Sequence, residues 1–585
     1  MAKAEASVEE LISMIERGEL RLPEMQRRYV WRSTRVRDLM DSLYRGYPSG
    51  AILLWDTDEA VPLQEFAVSQ NLNPYQSTRL LLDGQQRLTS LSAVIRGEPV
   101  TVRGRRRPIE LLFNLEHPDH LAVVTEVNEE GDDEENGDDE EELGADVTDS
   151  SDDELQRRFN QMTFVVATRK LEQLPQWVKV SDVFKADSDA PFLKRAGMSG
   201  FDDPRYEKYS QRLANLRAVR KYSYRMDVLE RSLSYDEVTE IFVRVNSLGA
   251  KLRSSDLALA QITAKWRHSL QTFLKFQTDC AKVGFDLELG LHLRNLIAFA
   301  TGQSRFRTVG NLNIEALQKA WKEAGEGMEF AMNFLKSNAG IESPALLSSP
   351  FLIVAIAYFG HTRSYKINPD EAALLRYWAL IANGKGRYSR GSSETLLDQD
   401  LATLRDGGSI PDLIDRLRLQ VGRLDVSPDE LEGRNQRSAL FKTMFLAFRA
   451  GEAKDWRSNL TISLDHSGAH HRLQFHHIFP KAQLKSSYTS READDIANLA
   501  FIGGRTNRAI SDKPPASYLP AIAAQHGAQV FDAQAIPTDA TLLEVANYKA
   551  FLTERRKLIA ARLNEFLLPE NPAATESRQV AIGSA

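Results

Sequence analysis

The segment that decides the reading runs from Gln474 to Asn507, as QFHHIFPKAQL over Gln474–Leu484 and IANLAFIGGRTN over Ile496–Asn507. Apolar residues alternate or cluster around the adjacent pair His476 and His477. Asn498 stands just before a β-like run, Leu499 to Ile502, and Asn507 follows in a segment able to begin a helix after Gly503-Gly504. The pattern predicts strand, loop, strand, helix. On such a unit His476, His477, Asn498 and Asn507 can converge on one hydrated divalent cation. The chemistry that calls for this set is phosphodiester hydrolysis. A neutral imidazole takes a proton from the attacking water, and a hard cation neutralises the phosphate and stabilises the leaving oxygen. A chance histidine pair in a β-hairpin is the competing reading.

The stretch resembles the HNH, or ββα-metal, nuclease motif. The resemblance implies that His476 is a metal ligand, His477 the general base, Asn498 its orienter and Asn507 the second ligand. H-I-F-P at His477–Pro480 matches the family's H-I-x-P. Many HNH domains carry paired CxxC motifs around a structural zinc. This chain has one cysteine, Cys280, so no structural zinc is expected and the only expected metal is catalytic. Imidazole, amide oxygen and water suit Mg²⁺, Mn²⁺ or Ni²⁺. His466, His470 and His471 lie nearby, as a second metal patch, as DNA contacts or as solvated loop histidines.

The chain has 585 residues, which predicts about three or four domains. A hydrophobic fraction of 42% is sufficient for real cores. One cysteine points to a reducing compartment without disulfides. No apolar run has transmembrane length, and the start MAKAEASVEE is unlike a signal peptide. A soluble cytoplasmic protein with no membrane partner is expected. The net charge of −7 conceals an asymmetry. Seventeen acidic residues and no Lys or Arg fall between Glu126 and Glu154, so the remainder carries +10. A basic remainder suits a polyanionic partner. The tract 126–154 reads as a disordered acidic insertion, either a solvated loop or a nucleic-acid mimic lying in a basic groove.

Near the amino terminus, Val8, Leu11, Ile12 and Ile15 have helical spacing behind a candidate N-cap, Ser7. Pro23 ends any helix at Leu22. Gln26, Arg27, Arg28, Tyr29, Trp31, Arg32, Arg35 and Arg37 then bring five arginines, one amide and two aromatics together. Such a set grips phosphate and stacks on bases, or else begins a solvated basic helix. A helix is predicted over Ser33–Arg45 and a strand over Ala51–Trp55. In TRLLLDGQQRLTSLSAVIRG, Arg79 to Leu82 reads as a strand, Asp83-Gly84 as a sharp turn and Gln85 onward as a helix. A glycine at a strand-to-helix turn lets backbone N–H groups approach phosphate, with Arg87 adding charge.

LPEMQRRYVW followed by LLLDGQQRLTSL resembles the ParB-like amino-terminal domain of the GmrSD-type, modification-dependent (type IV) restriction endonucleases, whose layout SspE and BrxU proteins share. The resemblance implies a nucleoside-triphosphatase site at Asp83, Gly84, Gln85, Gln86 and Arg87, using GTP, UTP or ATP. It also implies a DNA-sensing segment at Pro23, Gln26, Arg27, Tyr29 and Trp31. Phosphorothioate DNA is the target in SspE-like members and glycosylated hydroxymethylcytosine in GmrSD members. Met25 stands where an aromatic is often found. Further on, RMDVLERSLSYDEVTEIFVRVNSLGAKLRSSDLALAQI resembles the closing segment of the same domain. Glu237 to Val245 is predicted helical. Arg244, Asn246 and Gly249 are read as a turn, and Ser254 or Ser255 as the next cap. Arg244 and Asn246 either complete the nucleotide site or simply close the helix.

Thr101–Leu115 and Phe164–Ala167 are strand candidates, with a basic cluster at Arg103, Arg105, Arg106 and Arg107. Ala264 to Arg423 is helical by its 3.6-residue periodicity, and the basic start of Lys385–Leu401 is a candidate DNA contact. Helices are also expected over Arg437–Phe448 and Tyr548–Phe566. Lys513-Pro514-Pro515 through Tyr518-Leu519 resembles the family's K-x-P-x-x-Y-L. The expected fold is α+β and multidomain, with a ParB-like α/β domain over 1–263, a helical connecting region over 264–425, an HNH nuclease domain over 426–568 and a disordered tail over 569–585. The expected function is nucleotide-gated, metal-dependent cleavage of modified or invading phage double-stranded DNA, with a homodimer allowed. The alternatives are an unspecific abortive-infection nuclease and a nucleotide-dependent DNA-binding regulator.

Overall fold

A computed structural model of the chain describes residues 2–71, 78–100, 108–119, 159–198, 200, 202–248, 253–464, 466 and 472–568. The acidic insertion, the arginines of 103–107, Gly249, His470, His471 and the tail from Pro569 lie outside the described residues. The chain forms two compact units, Met1–Leu270 and Gln271–Ala585, of α+β composition.

The first unit is organised by strands β1 (Ala2–Ser7), β2 (Leu20–Pro23), β3 (Ile52–Thr57), β4 (Leu63–Gln64), β5 (Thr78–Asp83), β6 (Leu111–Asn114), β7 (Phe164–Val166), β8 (Trp177–Lys179) and β9 (Ser223–Leu229). Six of them make a mixed sheet in the order β1-β9-β3-β5-β2-β4, and β7-β6-β8 form a separate antiparallel sheet. Leu54, Trp55, Leu80 and Leu81 are fully buried, as expected of apolar runs in central strands.

Helix Val8–Glu16 follows β1 behind a capping box. Ser7 Oγ accepts from the Glu10 N–H, and the Glu10 carboxylate accepts from the Ser7 N–H at 2.6 Å. Gly18, at φ +68°, turns the chain out of the helix into β2, so Leu20–Pro23 is a strand. The expected turn at Arg244 and Asn246 is corrected. The helix runs over Tyr235–Leu248, and Asn246 Nδ2 donates back to the Phe242 carbonyl at 2.8 Å, inside the helical ladder. The next helix, Ser254–Lys265, has Arg253 as N-cap, and neither serine caps it.

In the second unit, helices Leu289–Thr301, Ile314–Ala339, Phe351–Thr362, Pro369–Lys385, Ser393–Arg405 and Ile410–Val421 pack around a core that continues into the segment bearing the histidine pair. Helix Ala439–Ala450, capped by Ser438, supports a two-stranded antiparallel sheet of β10 (Leu473–His477) and β11 (Leu499–Gly503). The rings of Phe441, Phe445 and Phe448 lie 5.1, 5.3 and 6.1 Å from Phe501. Helix Gly504–Ile510 leaves β11 directly, so strand, loop, strand, helix appears as the hydrophobic pattern predicted. Of the basic residues at the start of Lys385–Leu401 expected to meet DNA, Arg390 is exposed. Lys385 and Arg387 are buried, the first on Glu430 and the second on Asp400, because their long side chains fold back into the bundle.

Candidate active site

The pairing of β10 with β11 sets the site. His476 stands opposite Ala500 and His477 opposite Leu499, so the adjacent histidines point to opposite faces of the ribbon. They consequently have different surroundings.

His476 is 2% exposed. Its Nε2 lies 3.2 Å from the Tyr518 hydroxyl, which donates onward to the Ile478 carbonyl at 2.9 Å. In the tautomer able to ligate a cation, Nε2 carries the ring hydrogen and donates it to Tyr518. That tautomer leaves a lone pair on Nδ1, facing Asn507 Oδ1 across 2.8 Å. Asn507 is held in this orientation by its Nδ2, which donates to Gln474 Oε1 at 2.6 Å. Two acceptors therefore converge. Two octahedral metal bonds of about 2.1 Å at right angles put their donors about 3 Å apart, so the pair fits neighbouring ligands of one hard cation. Burial pushes the His476 imidazole down to about 4, despite its contact with Asn507, so it is neutral and able to ligate. Among the described residues no group of three His, Cys, Asp or Glu could hold an ion. A cation here would rest on an imidazole and an amide and keep its waters, as Mg²⁺ does.

His477 is partly exposed, and its Nε2 lies 2.8 Å from Asp494 Oδ1. Lys481 Nζ holds the same carboxylate at 2.9 and 3.0 Å. Burial alone would raise the Asp494 carboxyl, but the hydrogen bonds from His477 and Lys481 outweigh it and hold it below the usual carboxylate range. An ionised carboxylate only accepts, so Nε2 carries the hydrogen and Nδ1 is left as the basic nitrogen. The sequence reading missed Asp494, Lys481 and Gln474 as members of the site. It quoted Tyr518 within K-x-P-x-x-Y-L without giving it a role.

Asn498 is completely buried and makes no hydrogen bond to the His477 ring. Its Oδ1 accepts from the Phe479 N–H at 2.8 Å, and its Nδ2 donates to the carbonyls of Phe479 and Ala493 at 3.0 and 2.9 Å. It ties together the two ends of the loop that carries Lys481, just beyond His477, and Asp494. Any orientation of the base by Asn498 acts through that loop.

In the first unit the two quoted motifs meet. Gln26 Nε2 donates to the Leu81 carbonyl. Gln86 Oε1 accepts from the N–H groups of Val30 and Trp31, and its Nε2 donates to the Arg28 carbonyl. The Tyr29 hydroxyl lies 2.7 Å from Ser90 Oγ. Pro23 ends β2, buried Met25 touches Thr239, and Arg27 pairs with Asp256 at 2.9 Å. Gly84 adopts φ +102°, and a Cβ there would fall 2.5 Å from Ile52 Cδ1. Arg87 donates to the carbonyls of Ser49 and Ala51 and to Asp83, 2.6 to 2.9 Å away. Gln85 and Gly84 are buried. Asp83 to Arg87 thus lock the strand-to-helix turn onto residues 28–31 and 49–51. Three of the five guanidinium N–H donors of Arg87 are thereby directed to the turn. Arg244 is exposed and pairs with Glu240 on its own helix.

Residues 8–263 match the family described as GmrSD restriction endonuclease, N-terminal domain. Over 551 residues the chain is 23% identical to an uncharacterized protein, MJ0686, of Methanocaldococcus jannaschii, covering 87% of this chain and 85% of that protein. The family match supports a GmrSD-type assignment for the segment 8–263.

Proposed function

We propose that the chain is a metal-dependent endonuclease of restriction type, cutting double-stranded DNA at the His476–His477 site. The observation that carries this is the division of labour between the histidines. One is buried, neutral and aimed with Asn507 at a common point, and the other is partly exposed, with its tautomer fixed by Asp494. The family match at the other end of the chain supports the same reading.

In this reading His477 Nδ1 takes the proton from the water that attacks the phosphorus, and Asp494 stabilises the imidazolium that forms. A divalent cation on His476 and Asn507 would supply charge neutralisation at the phosphate. Lys481 keeps Asp494 ionised. Asn498 holds the loop that sets the spacing of His477, Lys481 and Asp494. Target selection is assigned by resemblance to the segment holding Pro23, Met25, Gln26, Arg27, Tyr29 and Trp31, of which Arg27 and Trp31 are partly exposed and the other four are buried, with modified DNA as the substrate class. Nucleotide control at Asp83–Arg87 rests on resemblance. Arg87 directs three of its N–H donors to the turn itself, and no step through a triphosphate is derived.

The test is cleavage of a plasmid in Mg²⁺ or Mn²⁺, comparing unmodified, phosphorothioated and glucosylated-hydroxymethylcytosine DNA, each with and without nucleoside triphosphate. Cutting that His477→Ala abolishes supports the proposal, and restriction to one modified substrate names the target. Cutting that survives in His477→Ala sinks it.

A further inference from the structure

The loop after helix Ala439–Ala450 and the start of helix Gly504–Ile510 enclose a second cleft in the same unit, of about 490 Å³. Arg457, His466, Arg505, Thr506, Ala509 and His526 contribute to its walls. Neither His476, His477 nor Asn507 does. Residues advance about 100° per step around a helix. Arg505 and Ala509 therefore share one face, while Asn507 lies about 200° round, on the face that reaches His476. The helix thus stands between the cleft and the contact of Asn507 with His476.

The cleft sets two guanidinium groups against one carboxylate. Among the described residues, the guanidinium groups of Arg457 and Arg505 have no acidic partner. The carboxylate in the wall, Asp455, is 5% exposed and already occupied. It accepts from the N–H groups of Arg457, Ser458 and Gly503 and from the hydroxyls of Ser458 and Thr506. Nε2 of His526 is buried without a hydrogen-bond partner. Two guanidinium groups beside imidazoles, against a single buried carboxylate, leave a net positive cleft suited to phosphate. Phe, Tyr and Trp are absent from the lining, so the cleft has no platform on which to stack a base. Its chemistry addresses a phosphate and leaves the base unread.

We propose that this cleft grips a backbone phosphate of the DNA strand held at the histidine pair. This rests on the nuclease reading above, and it adds a strand-positioning contact that the cutting residues do not supply.

The experiment uses the full chain carrying His477→Ala, with and without Arg457→Gln and Arg505→Gln together. A fluorescein-labelled 20-base-pair duplex is titrated by anisotropy at several salt concentrations. Losing the one phosphate contact should weaken binding about tenfold and lower the slope of log affinity against log salt by about 1, and lysine at both positions should restore the slope. Unchanged affinity and slope would overturn the proposal. Both side chains are exposed, so thermal melting of the double variant should match its parent. If wild-type protein cuts no DNA but the slope still falls, the cutting assignment fails and the phosphate contact stands. If wild-type protein cuts and the slope does not move, the reverse holds.

Discussion

His477 Nε2 lies 2.8 Å from Asp494 Oδ1, seventeen positions further along the chain. The carboxylate fixes which ring nitrogen carries hydrogen, so Asp494→Asn should disturb the base without touching DNA. Its amide can present N–H to the ring and stabilise the wrong tautomer. The cleavage rate should fall about 10²-fold with KM unchanged. A fall confined to KM would assign Asp494 to substrate binding instead.

Asn507 and His476 are proposed to share one cation. Asn507→Ala removes one of two protein ligands, so Mn²⁺ affinity, read by electron paramagnetic resonance of the full chain, should fall about tenfold or more. Affinity equal to wild type would place the ion elsewhere.

Asn498→Ala removes three buried hydrogen bonds and strands the Phe479 N–H in the core. About 3 kcal/mol of stability should be lost, visible as a lower urea midpoint. A loss below about 1 kcal/mol would mean the loop is held by other contacts.

Burial holds the His476 imidazole at about 4. The unfolded chain takes up its proton near pH 6.5, whereas the folded chain does so only near pH 4. Between those values the unfolded state binds more protons, so stability falls as pH drops through the window, by about 3 kcal/mol in total. His117 in the first unit, also held at about 4 by burial and then by Arg212 and Arg45, acts in the same direction. Urea unfolding of the second unit at pH 7.5 and 4.5 should show the loss, and His476→Asn should reduce it. Equal pH dependence in the variant would remove His476 as the cause.

Gly84→Ala should destabilise the first unit by about 2 kcal/mol or more, because φ +102° is strained for any Cβ and Ile52 Cδ1 occupies its space. Ile52→Val in the same chain should recover part of the loss by removing that methyl group. An unaffected melting temperature would mean the turn relaxes at no cost.

The sequence alone determined the local architecture of the histidine stretch. Alternation in β10 and a continuous apolar run in β11 specified the two strands, and the GG step specified the start of the helix, since these signals lie within a few residues. The adjacency of His476 and His477 also determined that they must face opposite sides of a strand. Tertiary structure alone decided what each of them meets. Asp494 and Asp495 are indistinguishable in sequence, yet Asp494 turns to His477 and Lys481 while Asp495 turns inward to Arg556 and the Gly433 N–H. Tyr518 reaches His476 from 42 residues away, and Arg87 ends on backbone carbonyls instead of an open turn. Such partners are set by the packing of helices around the hairpin and by the sheet order around Gly84. Both follow from contacts distant in the chain, which local periodicity does not encode.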